Sequence, residues 1–115
     1  MNRRALADSL IIATLLQVAM VVAGHWSPVV AGLFAFGGMG FSLIGGVIYV
    51  LRARPAGWKE VIGVGALVGG LSGLIGIAVS YALGDVPASL LLLGTVSSAA
   101  TGFVGAAVTR MFVKP

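Results

Sequence analysis

Cysteine is missing from this chain of 115 residues, and charge of either sign is scarce. Without a thiol the chain can form neither a disulfide framework nor a thiolate metal site. Three acidic residues and one histidine are too few for a closed zinc site, which needs about four ligands. The sequence also lacks paired carboxylates, a phosphate-binding loop and a Ser-His-Asp spacing. We therefore expect no enzymatic activity, no bound metal and no cofactor.

Apolar residues are what the sequence has in abundance. They make up 59% of the chain, charged residues make up 9%, and the mean hydropathy is +1.13. A soluble domain is about 25% charged. It could not bury this much apolar surface, because a domain of this size leaves roughly a third of its surface in water. The composition therefore predicts an integral membrane protein, with the lipid bilayer as its first partner.

Four continuous apolar runs are long enough to cross the hydrocarbon core of a bilayer, about 30 Å, as helices. The linker between the second and third runs, residues 52–60, is basic, and the other two connections are the tight turns GHWSP and GDVP. The sequence predicts an all-α integral membrane fold, a four-transmembrane-helix bundle in a single domain over residues 1–115. The expected spans are residues 6–24, 29–51, 61–83 and 88–110.

The seven Lys and Arg residues lie in three segments, namely the two ends of the chain and the linker 52–60. With four spans, these three segments fall on one side of the membrane. The positive-inside rule makes that side cytoplasmic. We therefore expect a multi-pass protein of a bacterial inner (plasma) membrane with both termini in the cytoplasm. Because the net charge of +4 is explained by orientation, we expect no nucleic-acid partner.

The two halves of the chain share a pattern of helix, short Gly/Pro turn, glycine-rich helix and basic end. Gly37 and Gly45 are separated by eight residues, as are Gly94 and Gly102. A duplication would give two side-by-side helical hairpin repeats. The alternative is that any short membrane hairpin needs these features. The sequence leaves both interpretations open.

Small residues four positions apart allow transmembrane helices to approach closely. Three of the expected spans carry such rows, which we predict to be helix-packing residues. The other face of the third span is expected to face lipid or a looser contact; it carries Val64, Val68, Leu71, Ile75 and Val79. The rows either pack one chain or join it to another. The predicted packing residues are Gly38, Ser42, Gly46, Gly65, Gly69, Gly73, Gly94, Ser98 and Gly102.

Four polar residues within the spans or at their ends are candidates for a polar or ion site: Asp8, Gln17, His25 and Asp85. Asp8 is expected to form a surface ion pair with Arg4, one turn away. Gln17, in the middle of its span, is expected to bond another helix. The two outer turns hold His25 and Asp85, which could meet if the hairpins pack side by side. Alternatively, Asp85 caps the fourth helix and His25 is solvated.

Two functions follow from these patterns. The first is a non-enzymatic accessory or scaffold subunit, packed through its small-residue faces in a homo-oligomer or a larger membrane complex. The alternative is a small ion or solute channel or transporter that acts as an oligomer. Its path would be lined by Gln17, Ser42, Ser97, Ser98 and Thr101. A dry bundle in which Gln17, Ser42 and Ser98 are all hydrogen-bonded would remove the basis for transport.

Overall fold

The computed structural model describes the whole chain except the side chain of Ala35. The described residues contain no strand. Four helices are long and apolar enough to cross a membrane, which confirms the predicted all-α four-span bundle and makes this a multi-pass membrane protein. The helices are α1 (Arg3–Trp26), α2 (Pro28–Ala31), α3 (Phe34–Ala53), α4 (Trp58–Ala82) and α5 (Ser89–Phe112).

The helices α3 and α4 form the central pair of the bundle. Helix α1 packs against both of them on one side, and α5 packs against both on the other. The most extensive contact joins α4 to α5. The four long helices alternate in direction, and the molecule measures 42 by 21 by 21 Å. One end of the bundle, the basic end, therefore holds both chain termini and the α3–α4 linker. The opposite end holds the other two turns.

Two predicted boundaries are wrong. The span expected over 29–51 is broken, because Leu33 leaves the helical conformation (φ −100°, ψ 3°) and separates α2 from α3. The linker expected over 52–60 is reduced to residues 54–57, because α3 and α4 each continue further than predicted. Arg54 ends α3 in the left-handed conformation with φ 45°. Gly57, in an extended conformation, immediately precedes the first residue of α4.

Most of the buried apolar side chains lie in the half of the bundle near the basic end. The face of α4 expected to meet lipid or a looser contact is divided. Val64 and Val68 are 7% and 0% exposed, so the expectation is wrong for them, whereas Leu71 and Ile75 are each 37% exposed. Helix α4 has neighbours on more than one side, because α5 packs on its glycines and Gly45 of α3 lies against Val68. The core residues are Ala5, Ala13, Tyr49, Val50, Val61, Val64, Val68 and Ala106.

Polar contacts close the basic end. The Tyr49 hydroxyl donates to Glu60 Oε2 at 2.7 Å and accepts from the backbone N–H of Asn2 at 3.3 Å. These bonds join α1, α3 and α4. Arg110 on α5 donates to the carbonyl of Pro55 at 3.0 Å, which ties the linker to the last helix.

Candidate functional site

The glycine row on α4 lies against α5 of the same chain. A Cβ atom added to Gly69 would lie 2.7 Å from the Cα atom of Gly102, and one added to Gly65 would lie 3.0 Å from the Gly102 carbonyl oxygen. At Gly73, an added Cβ would meet the side chain of Ser98. Because Gly65 and Gly69 have no side chain, the backbones of α4 and α5 are in direct contact at these positions.

The other two rows are also in contact with neighbouring helices of the chain. On α3, a Cβ added to Gly46 would lie 2.9 Å from the backbone nitrogen of Ala106 on α5. One added to Gly38 would lie 3.4 Å from Gln17 Oε1 on α1, and one added to Gly94 would meet a side chain of α4. Packing within one chain therefore occupies a member of each predicted row.

Gln17 lies at the centre of a hydrogen-bond network that joins three helices. Its Nε2 donates to the carbonyl oxygen of Gly38 at 2.9 Å and to Ser42 Oγ at 3.0 Å. Ser42 Oγ in turn donates to the carbonyl oxygen of Gly69 on α4 at 3.2 Å. Because both amide hydrogens of Gln17 are used in these bonds, its carboxamide oxygen is the group left for another partner.

Between this network and the opposite end, the helices leave a partly open cavity of about 520 Å³. Residues from all five helices and from the α4–α5 turn line it. Most of its wall is apolar, and the larger apolar side chains are Met20, Val21, Phe34, Met39, Ile77, Val86, Leu90 and Leu93. Its polar residues are Gln17, Ser80, Asp85, Ser97 and Ser98. The bundle is thus packed near the basic end and hollow near the opposite end.

Ser80 is the unusual member of the cavity wall. It is 1% exposed, and its hydroxyl has no hydrogen-bond partner among the described atoms. Leaving a buried hydroxyl unbonded costs about 1–3 kcal/mol. In the sequence, Ser80 follows Gly76 by four residues in the small-residue pattern of α4, and it is not among the predicted site residues.

A side-chain pair lies at the mouth of the cavity. His25 Nδ1 and Asp85 Oδ2 are 2.9 Å apart, and they join the last turn of α1 to the α4–α5 turn. Gly84, with φ +79°, ends α4 in a turn in which the Asp85 N–H bonds the Ser80 carbonyl at 3.0 Å, and this turn positions the carboxylate. The alternative that Asp85 caps the fourth helix is wrong, because Ala88 precedes α5 and the described chain has no side-chain cap there.

Asp8 lies apart from this region, at the basic end. Its Oδ2 is 2.6 Å from Nη1 of Arg52 rather than paired with Arg4, because the antiparallel packing of α1 and α3 brings the end of α3 beside the start of α1. The four predicted polar residues therefore occupy three places: Asp8 at one end, Gln17 in the middle, and the His25–Asp85 pair at the other end.

Two further observations concern metal ions and known proteins. Among the described residues, no group of three His, Asp or Glu side chains could hold a metal ion. Comparison of the chain with protein-family models, with curated proteins and with solved structures found no match. The function proposed below therefore rests on the geometry of the chain itself.

Proposed function

We propose that this chain is a non-enzymatic membrane protein that binds a small solute in the cavity described above. The cavity carries this proposal, because its mainly apolar wall also presents the polar residues Gln17, Ser97 and Ser98. A volume of about 520 Å³ lies within the range of ligand pockets, roughly 300–1,000 Å³. A mainly apolar wall with a few convergent polar groups is also typical of such pockets.

The polar residues expected along a transport path fall into two groups. Gln17, Ser97 and Ser98 line the cavity. Ser42 lies in the buried network, and the Thr101 hydroxyl donates within its own helix, to the Ser98 carbonyl oxygen at 3.0 Å. The close glycine contacts of α4 with α5 lie between the cavity and the basic end. This arrangement supports a binding site that opens on one side rather than a continuous pore through one copy.

The proposed location follows from charge. Every Lys and Arg belongs to the basic end, which the positive-inside rule assigns to the cytoplasm. We place the protein in a bacterial inner membrane with both termini cytoplasmic, so that the mouth of the cavity faces away from the cytoplasm.

Substituted cysteines test whether the cavity is accessible, because the chain has no cysteine of its own. We expect the thiol of Ser80→Cys to reach the cavity by side-chain rotation, because Ser80 belongs to the cavity wall. In the control, Ser72→Cys, the thiol replaces a hydroxyl on the same helix that is 0% exposed and bonds the carbonyl of Gly69 at 3.2 Å. Reaction with methyl methanethiosulfonate needs a hydrated thiolate. In protein reconstituted into vesicles, we expect Ser80→Cys to react at least an order of magnitude faster than Ser72→Cys. Equal rates, or an unreactive Ser80→Cys, would contradict the proposal.

The second candidate function is the accessory subunit, and two other glycines favour it. A Cβ added to Gly40 on α3 or Gly63 on α4 would meet no described atom within 4 Å. A helical glycine costs about 1 kcal/mol relative to alanine unless a contact requires it. We propose that these positions contact a second copy of the chain. Native mass spectrometry from nanodiscs should then show oligomers that Gly63→Leu dissociates without lowering the melting temperature. A wild-type protein that is only monomeric would rule this out.

A further inference from the structure

The cavity also indicates what kind of solute it holds, an inference that rests on the proposed function. We infer that the ligand is an uncharged amphipathic molecule. Its polar head, a hydroxyl or a carboxamide, bonds Gln17 and Ser98. Its apolar body lies along the wall formed by α3 and α5.

The charges around the cavity exclude an ionised ligand. Asp85 is the one ionisable group among the described lining residues, and it already lies 2.9 Å from His25 Nδ1. This pair is at the mouth, whereas Gln17 and Ser98 lie deeper in the bundle. A charged head beside Gln17 would have no counter-ion, and an unpaired buried charge is far more costly than a bonded neutral group. A neutral head avoids that cost.

Two polar groups, Gln17 and Ser98, converge on one face of α4. A Cβ added to Gly73 would collide with the Ser98 side chain, and one added to Gly76 would lie 2.9 Å from Gln17 Cβ. Ser80 follows one turn later on the same face, since residues three or four apart on a helix are neighbours. The two glycines thus allow Gln17 and Ser98 to reach the surface that also carries Ser80. This explains why the glycine pattern continues into the part of α4 that lines the cavity.

These two groups differ in their hydrogen-bonding roles. The carboxamide oxygen of Gln17 is an acceptor, because its two amide hydrogens are already donated to Gly38 and Ser42. The hydroxyl of Ser98 can donate or accept. A head that both donates and accepts can bond the Gln17 oxygen and the Ser98 hydroxyl together. A hydroxyl or a carboxamide meets this requirement, whereas a purely apolar molecule would bond neither group.

The rest of the cavity fits an apolar body. Its volume of about 520 Å³ is more than three times that of an engineered cavity of about 150 Å³ that holds benzene. Leu93 on α5 and Met39 on α3 both line the cavity, and they are 64% and 40% exposed. This part of the wall therefore reaches the lipid-facing surface of the bundle, through which an apolar chain can enter from the bilayer.

Photoreactive probes of matched length test the inference. The probes are a diazirine-bearing long-chain alcohol, the corresponding carboxylic acid and the corresponding amine, each incorporated into nanodiscs with the full chain. Mass spectrometry locates the adducts. We expect the alcohol to label Met20 and Leu90 in the cavity wall, and the acid and the amine to label only lipid-facing positions such as Ile11 and Leu15. Labelling of the cavity wall by the charged probes as strongly as by the alcohol would overturn the inference.

Two variants connect the labelling to the polar groups. Gln17→Leu removes the acceptor but also breaks the network, so Ser98→Ala provides an independent change. We expect each variant to reduce alcohol labelling of the cavity about fivefold, the effect of losing one hydrogen bond, while labelling of Leu15 is unchanged. Unreduced labelling in Ser98→Ala would contradict the assignment of the head. If no probe enters the cavity while Ser80→Cys still reacts, the ligand class is wrong and the accessible cavity remains. If Ser80→Cys is also unreactive, both proposals fail.

Discussion

Gly69→Ala is expected to lower the free energy of unfolding by about 1–3 kcal/mol, the usual cost of an overpacked interior. The added Cβ would lie 2.7 Å from Gly102 Cα and would collide with the Ser98 carbonyl oxygen. Both of these atoms belong to the backbone of α5, so no side-chain rotation can relieve the contact. Helix α5 would have to move away from α4, and the most extensive contact in the bundle would weaken.

Gly63→Ala is the matched control when each bilayer disc holds one copy of the chain, so that the proposed contact with a second copy is absent. It places the same methyl group on the same helix where no described atom lies within 4 Å. There the higher helix propensity of alanine should leave stability unchanged or raise it, by at most about 1 kcal/mol. Unfolding of both variants can be measured in lipid bilayers by steric trapping. Equal changes for the two variants would show that α4 and α5 do not pack through Gly69.

Tyr49→Ala is expected to lower the free energy of unfolding by about 3–5 kcal/mol, the usual effect of truncating a fully buried aromatic side chain. Tyr49 has the largest side chain among the fully buried residues and is 0% exposed. Its removal would leave a cavity among the core residues of the closed half. It would also remove the 2.7 Å hydrogen bond to Glu60 and the contact with the N–H of Asn2.

Phe36→Ala is the control for this prediction, because Phe36 lies on the same helix but is 81% exposed. Its ring contacts lipid in both the folded and the separated helices, so its truncation should change stability little. The comparison uses the same unfolding measurement. A loss in Phe36→Ala as large as that in Tyr49→Ala would mean that the half near the basic end is not the packed core of the bundle.

The number and type of the long helices could be predicted because bilayer thickness determines how long an apolar run must be. The break between α2 and α3 could not be predicted in this way. It depends on the backbone torsions of Leu33, whereas residues 29–51 form one run without a charged residue. The burial of Val64 and Val68 was missed for a related reason. A glycine face predicts one neighbouring helix, but α4 has neighbours on a second face as well.

The polar site was predicted in part. Gln17 bonds two groups of α3, as expected of an amide in the middle of a span. His25 and Asp85 meet, which the sequence allowed but did not require. The cavity and Ser80 could not be predicted, because a void depends on where helices separate rather than on which residues they carry. In the sequence, Ser80 has the same four-residue spacing from a glycine as Ser42, a serine that is fully bonded.

A crystal structure from a lipid mesophase under xenon pressure would test most directly the central claim, that the bundle is packed near the basic end and hollow near the opposite end. Xenon binds in apolar cavities that side chains leave empty. The account predicts a xenon peak bounded by Met20, Ile77 and Leu90, and none around Tyr49. A structure without that peak, in which the side chain of Phe34 or Leu93 fills the space, would contradict it.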